Sequence, residues 1–156
     1  MLNKHGQMGL MDSRQHRKRP IGPDLVSNGT FDSDVTGWTG YFGGTPSAVG
    51  GQMKILGDAS GPPSARATSP ITTVVGSVYR VTYDYDFTNI GATIGMNVSN
   101  NADGGTPYAT NNHSAGSSGM GTFLFTATAT TTYIAPDAGN VDAEFSLWDN
   151  ISVRLA

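Results

Sequence analysis

Cysteine is absent from the 156 residues, which removes disulfides, thiolate nucleophiles, Cys-ligated zinc and iron-sulfur clusters from consideration. Glutamate occurs once, at Glu144, so a carboxylate pair for glycoside hydrolysis would have to come from aspartates. Asp84 and Asp86 share a face of one predicted strand, but at i and i+2 they read more simply as a solvated edge. No Ser/His/Asp order, phosphate-binding loop or dinucleotide fingerprint is present, and His5, His16 and His113 are too scattered to form a catalytic or metal-binding pair. An enzyme is therefore not expected. Apolar runs stay far below the roughly 18 residues of a membrane span, so no membrane partner is expected either. The basic N-terminal stretch is not followed by an apolar segment of roughly 7 to 15 residues and a small-residue cleavage site, and does not read as a secretory signal.

What the chain has instead is glycine, 21 residues of it, in a background of Thr, Ser and Asn, with 37% hydrophobic and only 13% charged residues. Short strands joined by many turns have this composition, whereas helices and coiled coils do not. Two Trp, six Tyr and six Phe supply a core that a disordered chain would lack.

Charge is divided along the chain. Residues 1 to 20 hold Lys4, Arg14, Arg17, Lys18 and Arg19 against Asp12 alone, while the remainder holds four cations against eleven acids. The first segment has no apolar period, and Pro20 and Pro23 set it apart. The expected organisation is an extended basic docking arm over residues 1–23 and a folded domain over 24–156. The five cations of the arm are its candidate docking residues toward an acidic partner surface, and a solvated terminus is the plain alternative. Nucleic acid is a weaker match, because the folded part is acidic and the arm carries no aromatic residue for base stacking.

Alternation of period two marks the strands. Tyr79, Val81, Tyr83, Tyr85 and Phe87 fall on one phase, with Arg80, Thr82, Asp84 and Asp86 on the other. The final segment places Phe145, Leu147, Ile151, Val153 and Leu155 in one phase. Weaker alternation occurs around Met53 and Ile55, Ile94 to Val98, and Phe123 to Ala127. Gly43-Gly44, Gly61-Pro62-Pro63, Gly104-Gly105 and Pro136 to Gly139 read as turns, and 57–66 and 99–121 as long polar loops with at most one short strand near Tyr108. About eight short antiparallel strands need two packed layers to bury their apolar faces, so the predicted fold is an all-β sandwich or jelly roll.

Three segments carry a family resemblance. Leu25-Val26-Ser27-Asn28-Gly29-Thr30-Phe31-Asp32 followed by Gly37-Trp38, then Ile71 to Asp86, then Phe145 to Val153 with its Asp149-Asn150-Ile151-Ser152-Val153 ending, resemble in order and spacing the galactose-binding-like jelly rolls of carbohydrate-binding modules. The resemblance implies a packing role for Trp38 and a non-catalytic, sugar-binding or structural domain. A small version with a basic arm and no leader is similar to the head-decoration, spike and tail-fibre proteins of bacteriophages. The first expectation is accordingly a virion surface protein, held by its arm to other capsid or tail proteins in a repeating assembly or homo-oligomer and touching host glycans. The alternative is a carbohydrate-binding module that holds polysaccharide for a partner enzyme.

Two candidate sites follow. The alternation turns Asp149 inward, where a carboxylate needs a partner. Members of the resembling family often hold a structural calcium between first and last strands, which implies Asp149, Asp32 and Asn28 as ligands. Backbone N-H donors, or a bulge at Trp148 that exposes Asp149, are the alternatives. Trp148 falls on the outward phase and is the candidate sugar platform, with Tyr41 and Tyr108, and with Asp84, Asp86, Asn97 and Arg80 as polar partners. Covering a sheet edge or meeting a neighbouring subunit is its plain alternative.

Overall fold

The computed structural model describes residues 22–59 and 64–156. Lys4, Arg14, Arg17, Lys18 and Arg19 lie outside these residues. Ten strands follow one another: β1 (Thr39–Tyr41), β2 (Thr45–Val49), β3 (Gln52–Leu56), β4 (Ala65–Thr72), β5 (Val78–Asp86), β6 (Ile94–Ser99), β7 (Ala109–His113), β8 (Ser118–Thr126), β9 (Thr131–Gly139) and β10 (Phe145–Leu155). They form two antiparallel five-stranded sheets, β1-β4-β9-β6-β7 and β2-β3-β10-β5-β8, packed as a sandwich. The expected all-β sandwich is what the chain builds, with two strands more than the eight expected. Pro136 to Gly139 is strand, not turn, and the stretch 99–121 contains β7 and the start of β8.

The alternation of β5 works as read: Tyr79, Val81 and Tyr83 are buried while Arg80, Thr82 and Asp84 face outward, and pairing with β8 runs without interruption from Val78 opposite Thr126 to Asp86 opposite Ser118. β10 behaves differently. Its register against β5 shifts between Asp149 and Ser152, and Asn150 there has φ 49°. This bulge inserts one residue and reverses the phase. Ile151 and Val153 point inward as expected, but ahead of the bulge Ser146 and Trp148 are the inward residues, and Phe145, Leu147 and Asp149 face out. The reason is area: Trp148 buries more apolar surface than Leu147, and its indole N-H finds an acceptor in Ser146 Oγ at 2.8 Å. Trp148 is 0% exposed and packs on Tyr83 and Phe87.

β3 pairs with the first half of β10 only. Beyond the bulge that edge is taken by the segment leading into the domain. Leu25 N donates to Val153 O, Ile151 N to Gly29 O, and Val153 N to Asp24 Oδ1, each at 2.9 to 3.0 Å. A side chain at position 29 would sit 2.0 Å from Ile151 O, so only glycine permits this approach, and Asn28 before it takes φ 53°. The Asn-Gly-x-Phe motif and the terminal strand are thus two halves of one contact. Phe31 follows at 0% exposure, its ring 5.5 Å from that of buried Trp38, which has the packing role expected of it.

Candidate functional site

The outer face of the sheet β1-β4-β9-β6-β7 carries a connected row of polar and aromatic side chains. Tyr41 on β1 lies opposite Arg66 on β4, and Arg66 opposite Asp137 on β9. Arg66 Nε is 3.2 Å from Asp137 Oδ1, and the Asn97 amide on β6 donates to Asp137 Oδ2 at 2.7 Å. The small residues Ala65 and Ala67 face the core on either side of Arg66, which sends its guanidinium outward. Arg66 and Asn97 are nevertheless each 6% exposed, so the middle of the row is covered.

The segment 100–106 packs over it. Gly104 O accepts from Arg66 Nη1 at 2.7 Å, Ala102 O from Thr68 Oγ1 at 2.7 Å, and Gly105 O from Ser99 Oγ at 2.6 Å. At one end the turn between β1 and β2 brings Phe42 over the guanidinium, 5.4 Å from ring centroid to Arg66 Cζ, with the Tyr41 ring 6.4 Å from it. Burial pushes the Asp137 carboxyl up to about 6, against the pull of Arg66 and the Asn97 amide in the other direction. At neutral pH the pair carries no net charge. The buried amide, carboxylate and guanidinium are engaged with one another and with Gly104 O, and they back two half-buried rings, Tyr41 and Phe42, that offer stacking surface at the edge of the face.

Sequence reasoning singled out Tyr41 and Asn97 on this face. The other residues of that set lie elsewhere. Trp148 is in the core and offers no platform. Tyr108 packs its ring edge-on against Phe125 and brings its hydroxyl to Thr132 Oγ1 at 3.3 Å. Arg80, Asp84 and Asp86 stand on the outer face of the opposite sheet, with Arg80 facing Arg154 in register and Asp86 capping Thr88 N at 2.9 Å. A single ligand cannot meet both faces of a sandwich, so the set does not form one site. Arg66, Asp137 and Phe42 were missed. Arg66 was hidden by the reading of 57–66 as a loop, although an arginine between two alanines could have marked it as an outward strand residue; Asp137 was hidden by Pro136 and Gly139, and Phe42 by the Gly43-Gly44 turn.

Of the three calcium candidates, Asp149 and Asp32 lie near enough for their charges to interact, while Asn28 is engaged elsewhere. The Asn28 amide donates to Asp34 Oδ1 at 2.9 Å and to the Asp34 and Thr36 carbonyls instead of turning to Asp149. Asp149 faces outward, with Asp84 opposite it in register. The amide of Asn150 stands between the two carboxylates, 2.8 Å from Asp84 Oδ2 and 3.3 Å from Asp149 Oδ2, a neutral donor where a cation would need open coordination. Desolvation, together with the charges of Asp84 and Asp32, raises the Asp149 pKa. Among the described residues no three acids or histidines are grouped to hold a metal ion.

A cavity of about 330 Å³ opens at the end of the sandwich near Pro23, Leu25, Val74, Tyr79 and Leu155. Its lining is mostly apolar, with hydroxyls from Thr72, Ser77 and Tyr79 and no charged or amide side chain.

Comparison with protein-family models and with curated protein sequences gives no match. Solved structures do match. A carbohydrate-binding module of family CBM4 aligns with a TM-score of 0.69 at 17% identity, over 84% of this chain and 99% of that one. The N-terminal cellulose-binding domain of β-1,4-glucanase C from Cellulomonas fimi aligns at 0.62 and 22% identity, over 88% and 97%. The enzymatically active domain of tailspike protein 4 from bacteriophage CBA120 aligns at 0.62 and 15% identity, over 85% of this chain and 21% of that one. Most of the similar structures are carbohydrate-binding modules of glycoside hydrolases or chains that contain them. The fold of this chain is the jelly-roll β-sandwich of the CBM4 and CBM22 modules, and it resembles non-catalytic carbohydrate-binding modules.

Proposed function

We propose that the protein is a carbohydrate-binding module that holds a neutral polysaccharide for a partner enzyme, on the outer face of the sheet β1-β4-β9-β6-β7. The observation that carries this reading is the row Tyr41, Arg66, Asp137 and Asn97, a polar strip ending in an aromatic residue on a fold shared with sugar-binding modules. Electrophoresis through native gels cast with hydroxyethyl cellulose, xylan or mixed-linkage glucan tests it. The protein is retarded by at least one of them, Tyr41→Ala loses the retardation, and Thr82→Ala on the opposite sheet keeps it. Migration unaffected by every polysaccharide would overturn the proposal.

We propose as a second reading, resting on the basic N-terminal stretch, a virion surface protein anchored to other virion proteins through Lys4, Arg14, Arg17, Lys18 and Arg19 in a repeating assembly, with a host glycan on the same face. On this reading, deleting residues 1–20 abolishes incorporation into particles and leaves glycan retention intact; particles that still carry the truncated protein would sink it.

A further inference from the structure

The turn between β1 and β2 is a two-residue reversal in which Gly44 N donates to Tyr41 O at 2.9 Å and both central residues have positive φ, Phe42 at 53° and Gly43 at 78°. This is a type I′ turn, whose first central position favours Asn, Asp or Gly because an L side chain is crowded there. The surroundings impose that geometry. A Cβ at Gly40 would meet Gly44 O at 1.9 Å, one at Gly43 would meet the Asp58 carboxylate at 1.7 Å, and one at Gly44 would meet Arg66 O at 2.4 Å. The backbone is therefore pinned on both sides of position 42, and the residue there is poorly suited to it.

Phe31 has nearly the same φ, 52°, but its ring is fully buried against Trp38, and burial offsets the strain. Phe42 is compensated less, since its ring stays half-buried at the edge of the face, beside Tyr41 and over the Arg66 guanidinium. A strained, bulky residue at the rim of a ligand face points to use of its side chain.

We infer that Phe42 is a sugar-contacting residue, stacking a sugar ring together with Tyr41 at the β1 end of the face, and that the strained turn is retained to present its ring. This rests on the proposed carbohydrate reading and names the residue that fixes where a sugar ring sits. A pyranose offers a flat array of C-H groups to a ring, and the tilt of 50° between Phe42 and Tyr41 leaves each free to meet a different part of the chain.

Phe42→Asn separates the two roles of the residue, because Asn suits positive φ and lacks the ring. The expected result is a melting temperature equal to or above that of the parent protein, with affinity for the polysaccharide that retards the parent reduced at least tenfold. Phe42→Trp keeps most of the affinity. Unchanged affinity in Phe42→Asn would overturn the inference while leaving the carbohydrate reading in place. A lower melting temperature together with weak binding would also overturn it, since the ring would then be a structural cover for Arg66. If the parent protein binds none of the polysaccharides, the carbohydrate reading fails first, and this assignment with it.

Discussion

Arg66 Nε lies 3.2 Å from Asp137 Oδ1, an ion pair formed between neighbouring strands with side-chain exposures of 7% and 14%. Removing one member leaves the other charge desolvated. Asp137→Ala is expected to cost about 3 to 5 kcal/mol at pH 7, measured by urea unfolding. The pair also sets a pH dependence. The folded protein holds a proton on Asp137 up to about 6, and the unfolded chain releases it near 3.8. Stability contributed by this group is thus present below about pH 4 and declines as pH rises toward 6. Asp137→Asn abolishes that slope; a slope unchanged in the variant would refute the assignment.

His113 gives the opposite slope. The Asn111 amide donates to Tyr83 Oη at 2.9 Å, leaving the hydroxyl proton for His113 Nε2 at 2.8 Å. Tyr85 stacks on the imidazole with centroids 3.9 Å apart, and burial lowers its pKa. Protonation would occupy the Nε2 lone pair and leave the Tyr83 hydroxyl proton without its acceptor. The folded protein resists a proton that the unfolded chain accepts near 6.5, so stability falls as pH drops below about 6.5 and levels off below the folded value. NMR titration of the imidazole should find His113 below the ordinary value of about 6.5, and His113→Gln should remove this part of the pH dependence.

Trp148 is a core residue, and its replacement reports on folding, not on ligand. Trp148→Ala is expected to cost about 3 to 5 kcal/mol. Trp148→Phe, which loses the bond to Ser146 and part of the volume, costs about 1 to 3 kcal/mol and binds polysaccharide like the parent in affinity electrophoresis. Selective loss of binding in a fully stable Trp148→Phe would move the site to this residue.

Desolvation raises the Asp149 pKa, and the neighbouring charges of Asp84 and Asp32 push it the same way. Asp149→Asn keeps an acceptor for Asn150 N and removes the repulsion, so it should raise stability by a few tenths of a kcal/mol, read as a small increase in melting temperature. Millimolar calcium should leave the melting temperature of the parent unchanged. A calcium-dependent rise that Asp149→Asn abolishes would restore the cation site.

Much of the sandwich was legible because period-two alternation is a local property: a side chain on β5 takes its face from its neighbours two residues away. The alternation of Tyr79, Val81 and Tyr83 against Arg80, Thr82 and Asp84, with the turn residues between segments, was enough to place two layers of antiparallel strands. Pairing across the sheets was not local. The bulge at Asn150 exchanged the faces of Trp148 and Asp149, because burying an indole beside Ser146 and Tyr83 outweighs continuing the phase of Leu147, and that comparison exists only once the neighbouring strands are in place. The candidate site depends on the same kind of decision. Tyr41, Arg66, Asn97 and Asp137 lie far apart in the chain and meet because β1, β4, β9 and β6 are adjacent in one sheet. Composition and alternation alone determined an all-β chain with a polar surface and an aromatic core, whereas strand order, which follows from how the two layers fit together, decided which of its polar residues stand side by side.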